Sequence, residues 1–330
     1  MIKTIVSTAL PIDERLLIRK NTLSNGSGSQ RLCIVTGTHG DELEGQLICY
    51  LIAKTINEQF DCLDGTVEIY PALNPLGIDT LQRGVPNFDL DMNRIFPGNT
   101  DGSMVEQAAY KIVEDLRGAD LVIDVHSSNL YLREMPQVRI NVNDKERLVP
   151  IARKIAGIDF IWVHDSATVL ESTLAYSLNS TGTPCLVAEM GVGMRVNHRM
   201  CSKFVGGIFS LMKDMGMWTG EYEGNHIGQG EVKDDMEEEF SVTHGDLTLP
   251  IVCEGDTVAF LNAEASGVFL TDMHTGIIVE QGEEIGKIVN PLTGDTLSHV
   301  VSPVRGYLFT VRAYPIVYVG SLLARIYTAI

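Results

Sequence analysis

T-H-G-D-E-L-E-G, residues 38–45, is the stretch on which the reading of the fold turns. It follows the apolar run at residues 32–35 and precedes an amphipathic segment at 46–57, so it marks the turn where a buried strand gives way to a helix. In open α/β sheets, ligands collect at such strand ends. His39 and Glu42 offer an imidazole and a carboxylate three residues apart on that bend, a pair that suits zinc once a third ligand arrives from elsewhere. Taken alone, the pair fits a solvated turn equally well.

Working outward, strand-like and helix-like segments alternate through about residue 218. Apolar runs at residues 32–36, 67–71, 121–125, 161–163 and 185–188 read as buried strands, and segments 46–57, 105–116, 145–156, 172–178 and 205–215 carry helical spacing. This alternation predicts an α/β domain with a mostly parallel, mixed sheet flanked by helices. Residues 218–250 are rich in Gly, Asp and Glu, and the acidic run Asp234, Asp235, Glu237, Glu238 and Glu239 reads as a solvated linker or loop. From Ile251 onward, short β-branched runs punctuated by glycine predict a smaller all-β domain. The expected division is therefore residues 1–220, catalytic, and residues 221–330, linker plus β domain.

The β region holds an internal repeat. I-V-E-Q-G-E-E-I-G-K-I at 278–288 and I-V-Y-V-G-S-L-L-A-R-I at 316–326 share V-x-x-G-x-x-[I/L]-x-x-I, each preceded by a G-[V/Y]-[F/L] step. The pattern resembles the barrel-sandwich hybrid domains of biotinyl and lipoyl carriers. Those carriers hold a modifiable lysine at a hairpin tip between the halves, and residues 291–303 contain none, so a structural or site-shielding role is expected.

Composition narrows the function. At 330 residues and 45% apolar content the chain can bury a large core. A net charge of -18 argues against nucleic acid and anionic membrane surfaces, because no basic stripe exists to displace phosphate counterions. A small molecule or peptide is the expected partner, and an anionic one needs a local arginine site. A homo-oligomer is compatible with the sequence but not specified by it. No apolar run approaches the roughly 20 residues of a membrane span. The N-terminus fits neither a signal nor a transit peptide, and six cysteines without C-x-x-C spacing read as thiols in a reducing cytoplasm.

The chemistry gathers at strand ends. His126, in D-V-H-S at 124–127, ends a second apolar run, and with His39 and Glu42 it makes a three-ligand zinc site whose fourth position is open, as in hydrolytic zinc. Glu189, in L-V-A-E-M-G, ends a third run, where a carboxylate can take a proton from water and pass it to a leaving amine. The loop between holds Asn74-Pro75, Arg83 and D-L-D-M-N-R at 89–94. Asn93 with Arg94 could grip a carboxylate, and Arg83 could polarise a carbonyl.

In order, H-x-x-E, N-P, Arg83, D-x-x-R, D-x-H and E-x-G resemble the succinylglutamate desuccinylase and aspartoacylase family of the zinc carboxypeptidase superfamily, over residues 31–217. The resemblance implies a zinc carboxypeptidase-like fold and one Zn2+ per chain on His39, Glu42 and His126. It also implies a catalytic Glu189, a carbonyl-polarising Arg83, and substrate-carboxylate binding by Asn93 and Arg94. A further arginine for the substrate side chain, and an assisting tyrosine among Tyr131, Tyr307 and Tyr314, have no matching spacing. The expected activity is removal of an acyl group from a small N-acylated amino acid. The alternatives are a carboxypeptidase acting on short peptides and a non-catalytic zinc-binding assembly protein.

Overall fold

In the computed structural model, which describes residues 1–165, 171–224 and 250–329, the chain opens with an antiparallel pair absent from the sequence reading, β1 (Ile2–Ala9) and β2 (Arg15–Asn25). β1 is an edge strand with only Val6 fully buried, and on β2 the inward-facing position after Leu16 and Ile18 is Lys20. A buried lysine in the apolar row hides the alternation that marks a strand.

The elements that follow are β3 (Arg31–Thr36), α1 (Glu44–Glu58), β4 (Gly65–Tyr70), α2 (Pro75–Thr80), α3 (Met104–Leu116), β5 (Leu121–Ser127), β6 (Leu132–Asn141), α4 (Lys145–Ala152), β7 (Phe160–His164), α5 (Leu174–Ser180), β8 (Cys185–Gly191) and α6 (His198–Asp214). The five expected strands and five expected helices are all present. α4 ends at Ala152, short of the expected residue 156, and α6 begins seven residues early because the Asn197 side chain accepts from Met200 N at 2.8 Å and caps it. A Ser103–Glu106 capping box starts α3.

β4, β3, β5 and β8 pair in parallel in that order; β2 and β6 extend the sheet antiparallel on either side. Successive residues of β3 feed opposite faces. Leu32 and Ile34 pack with α1, α4 and α6, whereas Cys33 and Val35 pack with α3 and α5. From β3 the chain goes first to β4 on one side and then to β5 on the other. Strand order thus reverses between β3 and β5, where a crevice opens beyond the carboxyl ends.

The C-terminal strands are β9 (Ile251–Glu254), β10 (Val258–Asn262), β11 (Gly267–Leu270), β12 (Ile277–Val279), β13 (Glu284–Val289), β14 (Thr296–Val301), β15 (Gly306–Arg312), β16 (Ile316–Val317) and β17 (Leu322–Tyr327). The internal repeat is physical. β11 pairs with β13 and β16 while β15 pairs with β17 and β12, and β10 pairs with β17 while β14 pairs with β13. Each half thus lends strands to the other around one apolar core. The region is hydrogen-bonded into the main sheet, β15 to β6 and β9 to β7, and Phe160 stacks on Phe309 with ring centroids 4.9 Å apart. The acidic run at 234–239 lies outside the described residues. Among the described residues no helix is long and apolar enough to cross a membrane.

Candidate metal centre and active site

The loop after β3 is held by close backbone approach. A Cβ on Gly40 would lie 2.0 Å from the Gly77 carbonyl carbon of α2, and one on Gly45 would lie 1.7 Å from Thr36 Oγ1 on β3. Only glycine lets the turn and the start of α1 sit this tightly. Asn74 and Pro75 support the arrangement by opening α2, the Asn74 side chain accepting from Gly77 N at 2.9 Å.

This packing places His39 and Glu42 beside His126 at the end of β5. His39 Nδ1 and His126 Nδ1 each lie 2.8 Å from a different Glu42 oxygen and 3.2 Å from one another. All three side chains are buried, and one donor atom from each falls within 4.8 Å of the others. The second nitrogen of each ring faces a carboxylate: His39 Nε2 is 3.0 Å from Asp91 Oδ1, and His126 Nε2 is 3.2 Å from Asp124 Oδ2. Carboxylates behind histidines orient the opposite nitrogens as ligands. Burial opposes charge on both imidazoles, but Glu42 and Asp91 raise the His39 pKa, and Asp124 and Glu42 lift that of His126 well above its usual value. Burial likewise opposes charge on Glu42, yet the two imidazoles hold it well below the carboxylate range. Glu42, Asp124 and the partly buried Asp91, offset by the Arg83 guanidinium, leave two negative charges around two imidazoles, which two protons or one dication can balance. Beyond the ion-pair contact to His126, the fully buried Asp124 oxygens accept no hydrogen bond among the described residues. A His2Glu donor set of this kind fits zinc.

All seven residues singled out from the sequence, namely His39, Glu42, Arg83, Asn93, Arg94, His126 and Glu189, line a single cavity of about 300 Å3. Glu189 stands opposite His126 in the β5–β8 ladder, with Oε1 3.2 Å from Arg139 Nη1. Burial raises its pKa, while Arg139 and His126 pull it down. Arg83 reaches the donor cluster, Nη1 2.9 Å from Glu42 Oε1 and Nε 3.3 Å from Asp91 Oδ2. Asn93 Oδ1 accepts from Leu174 N at 2.9 Å, so its amide N–H groups are the part left to meet a ligand. Arg94 is exposed and donates from Nη1 to the Asn93 carbonyl at 2.7 Å.

Several members of the site were not singled out. Asp91 and Asp124 stood inside the quoted motifs, and the i, i+2 spacing of Asp124 and His126 on a strand already puts them on one face. Arg139 and Glu134 lie on β6, which the sequence reading did not identify as a strand. Five residues apart, they would face opposite ways on a regular strand, but the β6–β8 register shifts between Glu134 and Gln137 and they meet at 2.6 Å. Arg325 enters the cavity from β17. Among the described residues the tyrosine lining the cavity is Tyr176; Tyr131, Tyr307 and Tyr314 do not line it.

Residues 29–215 match the family model of the succinylglutamate desuccinylase/aspartoacylase catalytic domain. The N-alpha-acetyl-L-2,4-diaminobutyric acid deacetylase of Halomonas elongata is 29% identical over 130 residues, 39% of this chain and 37% of the deacetylase. The match therefore spans little more than a third of that relative. Among solved structures, a succinylglutamate desuccinylase/aspartoacylase from Rhodobacter sphaeroides superposes with a TM-score of 0.77 at 21% identity, covering 98% of this chain and 95% of that one. The product-bound ectoine utilization protein EutE from Ruegeria pomeroyi gives 0.76 at 20% identity, covering 96% and 90%. These two share the fold along nearly the whole length, C-terminal strands included. By the match over more than half its length, the chain belongs to the succinylglutamate desuccinylase/aspartoacylase family.

Proposed function

We propose that the protein is a zinc-dependent amide hydrolase that removes the acyl group from a small N-acylated amino acid. The observation that carries this reading is the convergence of His39, Glu42 and His126 in one cavity with Glu189. His39, Glu42 and His126 would hold the zinc, which would supply Lewis acidity towards water and the amide carbonyl. Glu189, partly buried and steadied by Arg139, takes the proton from the water and delivers it to the leaving amine. Arg83 donates to the carbonyl oxygen as charge develops there, and Arg94 with the Asn93 amide holds the substrate carboxylate. A cavity of about 300 Å3 suits an amino-acid derivative better than a long peptide. The deacetylase relative supports the same substrate class. Six free cysteines, five of them buried, suit a reducing cytoplasm.

The test is metal analysis and turnover of a panel of N-acetyl, N-succinyl and dipeptide substrates, N-acetyl-diaminobutyrate among them. The parent should bind about one zinc per chain and favour an acyl amino acid over every dipeptide. His126→Ala should lose zinc while keeping the fold. Glu189→Gln should keep zinc and fall at least about a hundredfold in kcat. Full zinc occupancy in His126→Ala, or near-parent kcat in Glu189→Gln, contradicts the reading; preference for dipeptides moves it to a carboxypeptidase.

A further inference from the structure

Among the described residues lining the cavity, Arg325 is the contribution of the C-terminal β region. Its level in the sheet is set by hydrogen-bond register: Glu134 on β6, Thr310 on β15 and Arg325 on β17 are consecutive cross-strand partners. Arg325 Nη1 donates to Glu134 Oε1, and Arg139 Nη2 donates to Glu134 Oε2 at 2.6 Å. Arg139 Nη1 then lies 3.2 Å from Glu189 Oε1. The Trp162 ring neighbours both guanidiniums, 5.5 Å from Arg139 and 5.2 Å from Arg325. Four charges thus alternate in a row, Arg325, Glu134, Arg139 and Glu189, and sum to zero, with Glu134 buried and the other three partly so.

Each oxygen of Glu134 is occupied by a different guanidinium, and that division leaves Arg139 a nitrogen for Glu189. Without Arg325, the buried Glu134 carboxylate, itself only 1% exposed, loses a charged partner. An unpaired buried charge is strongly unfavourable, and the nearest repair is for Arg139 to bring both prongs of its fork onto Glu134. Glu189 would then lose its tether. We propose that Arg325 is a positioning residue: through Glu134 it keeps Arg139 on Glu189, so that docking of the β region sets the orientation of the proton-transferring carboxylate. The inference rests on the role given to Glu189 above.

The experiment compares the zinc-loaded full-length parent with Arg325→Met, Arg325→Lys, Glu134→Gln and the Arg325→Met/Glu134→Gln double variant, by kinetics and by crystal structure. Arg325→Met should lower kcat about tenfold or more with KM little changed and zinc content intact, the scale expected of a misplaced catalytic group. Arg325→Lys, which preserves a charged donor, should recover much of the loss. Adding Glu134→Gln to Arg325→Met should raise kcat again, because an amide competes weakly for Arg139. A purely structural role for Arg325 predicts that the two losses multiply. In the Arg325→Met crystal structure both Arg139 Nη atoms should lie on Glu134. Parent-like kcat in Arg325→Met, multiplying losses, or a change confined to KM each overturns the proposal, the last by making Arg325 a substrate contact. Should the parent hydrolyse no N-acyl amino acid, the deacylase reading fails separately. The crystallographic arm then decides, with Arg139 still seated on Glu189 in Arg325→Met overturning the inference.

Discussion

Arg83 and Arg94 sit on one stretch of loop but touch different partners. Arg83 lies among the donors, on Glu42 and Asp91, where a reacting carbonyl would come. Arg94 is exposed on the cavity wall beside Asn93. A carboxylate held by Arg94 is present equally in ground and transition states, whereas charge facing Arg83 develops only on attack. Arg94→Ala is therefore predicted to raise KM, by roughly thirtyfold for about 2 kcal/mol of charge-assisted hydrogen bonding. Arg83→Ala should instead lower kcat a hundredfold or more, about 3 kcal/mol for one lost oxyanion donor. Steady-state kinetics with the acid and its amide check both, since blocking the carboxylate should harm the parent and matter little to Arg94→Ala. Equal kcat losses in the two variants would remove the distinction.

Between elements, a charged tie outside the cavity centres on Glu68 of β4. It receives Lys20 Nζ from β2 and Arg31 Nη2 from β3, each at 2.8 Å, and Lys20 also reaches Asp115 of α3. Burial opposes the Glu68 charge, but the hydrogen bonds from Lys20 and Arg31 outweigh it and hold the pKa at about 2 instead of the ordinary 4.5. A folded-state pKa below the unfolded value means a stabilising contribution that is complete above pH 4.5 and lost as pH falls towards 2. Its size is on the order of 3 kcal/mol. Glu68→Gln should therefore lower the denaturation midpoint at neutral pH, and the gap to the parent should narrow as pH falls through that window. A gap independent of pH would show that Glu68 does not act through its charge. The same cluster explains why β2 escaped the sequence reading: Lys20 is apolar in position but not in type, and its partners come from two other elements, β4 and α3.

At the scale of the molecule, the repeat of the β region builds a symmetric core, which joins the main sheet through β15 to β6 and through β9 to β7. The hairpin between β13 and β14 turns at residues 290–295, N-P-L-T-G-D, with Leu292 fully out in solvent and no lysine to modify. Expression in a host with lipoyl and biotinyl ligases is predicted to leave the chain at its unmodified intact mass. An adduct on a lysine after Ile251 would restore the carrier reading. What the region does contribute is a third layer of contact against Phe160 and Trp162 and, in Arg325, a charge inside the cavity.

The parts legible in the sequence are those set by short-range periodicity. Apolar runs ending at or just before His39, His126 and Glu189 reported buried strands, and burial at a strand end is enough to place a polar side chain at the crevice. V-x-x-G-x-x-[I/L] repeated 38 residues on, from 278 to 316, reported a duplicated strand pattern. Pairing between elements was not legible. Glu134 and Arg139 meet because a bulge changes the parity of β6, and Arg325 meets Glu134 from 191 residues away. Such contacts depend on register and docking, which are properties of two chain segments together, and no local pattern in either one encodes them. The proposed ligands and proton carrier were thus determined strand by strand, while the charged row behind Glu189 was decided only when the β region closed against β6 and β7.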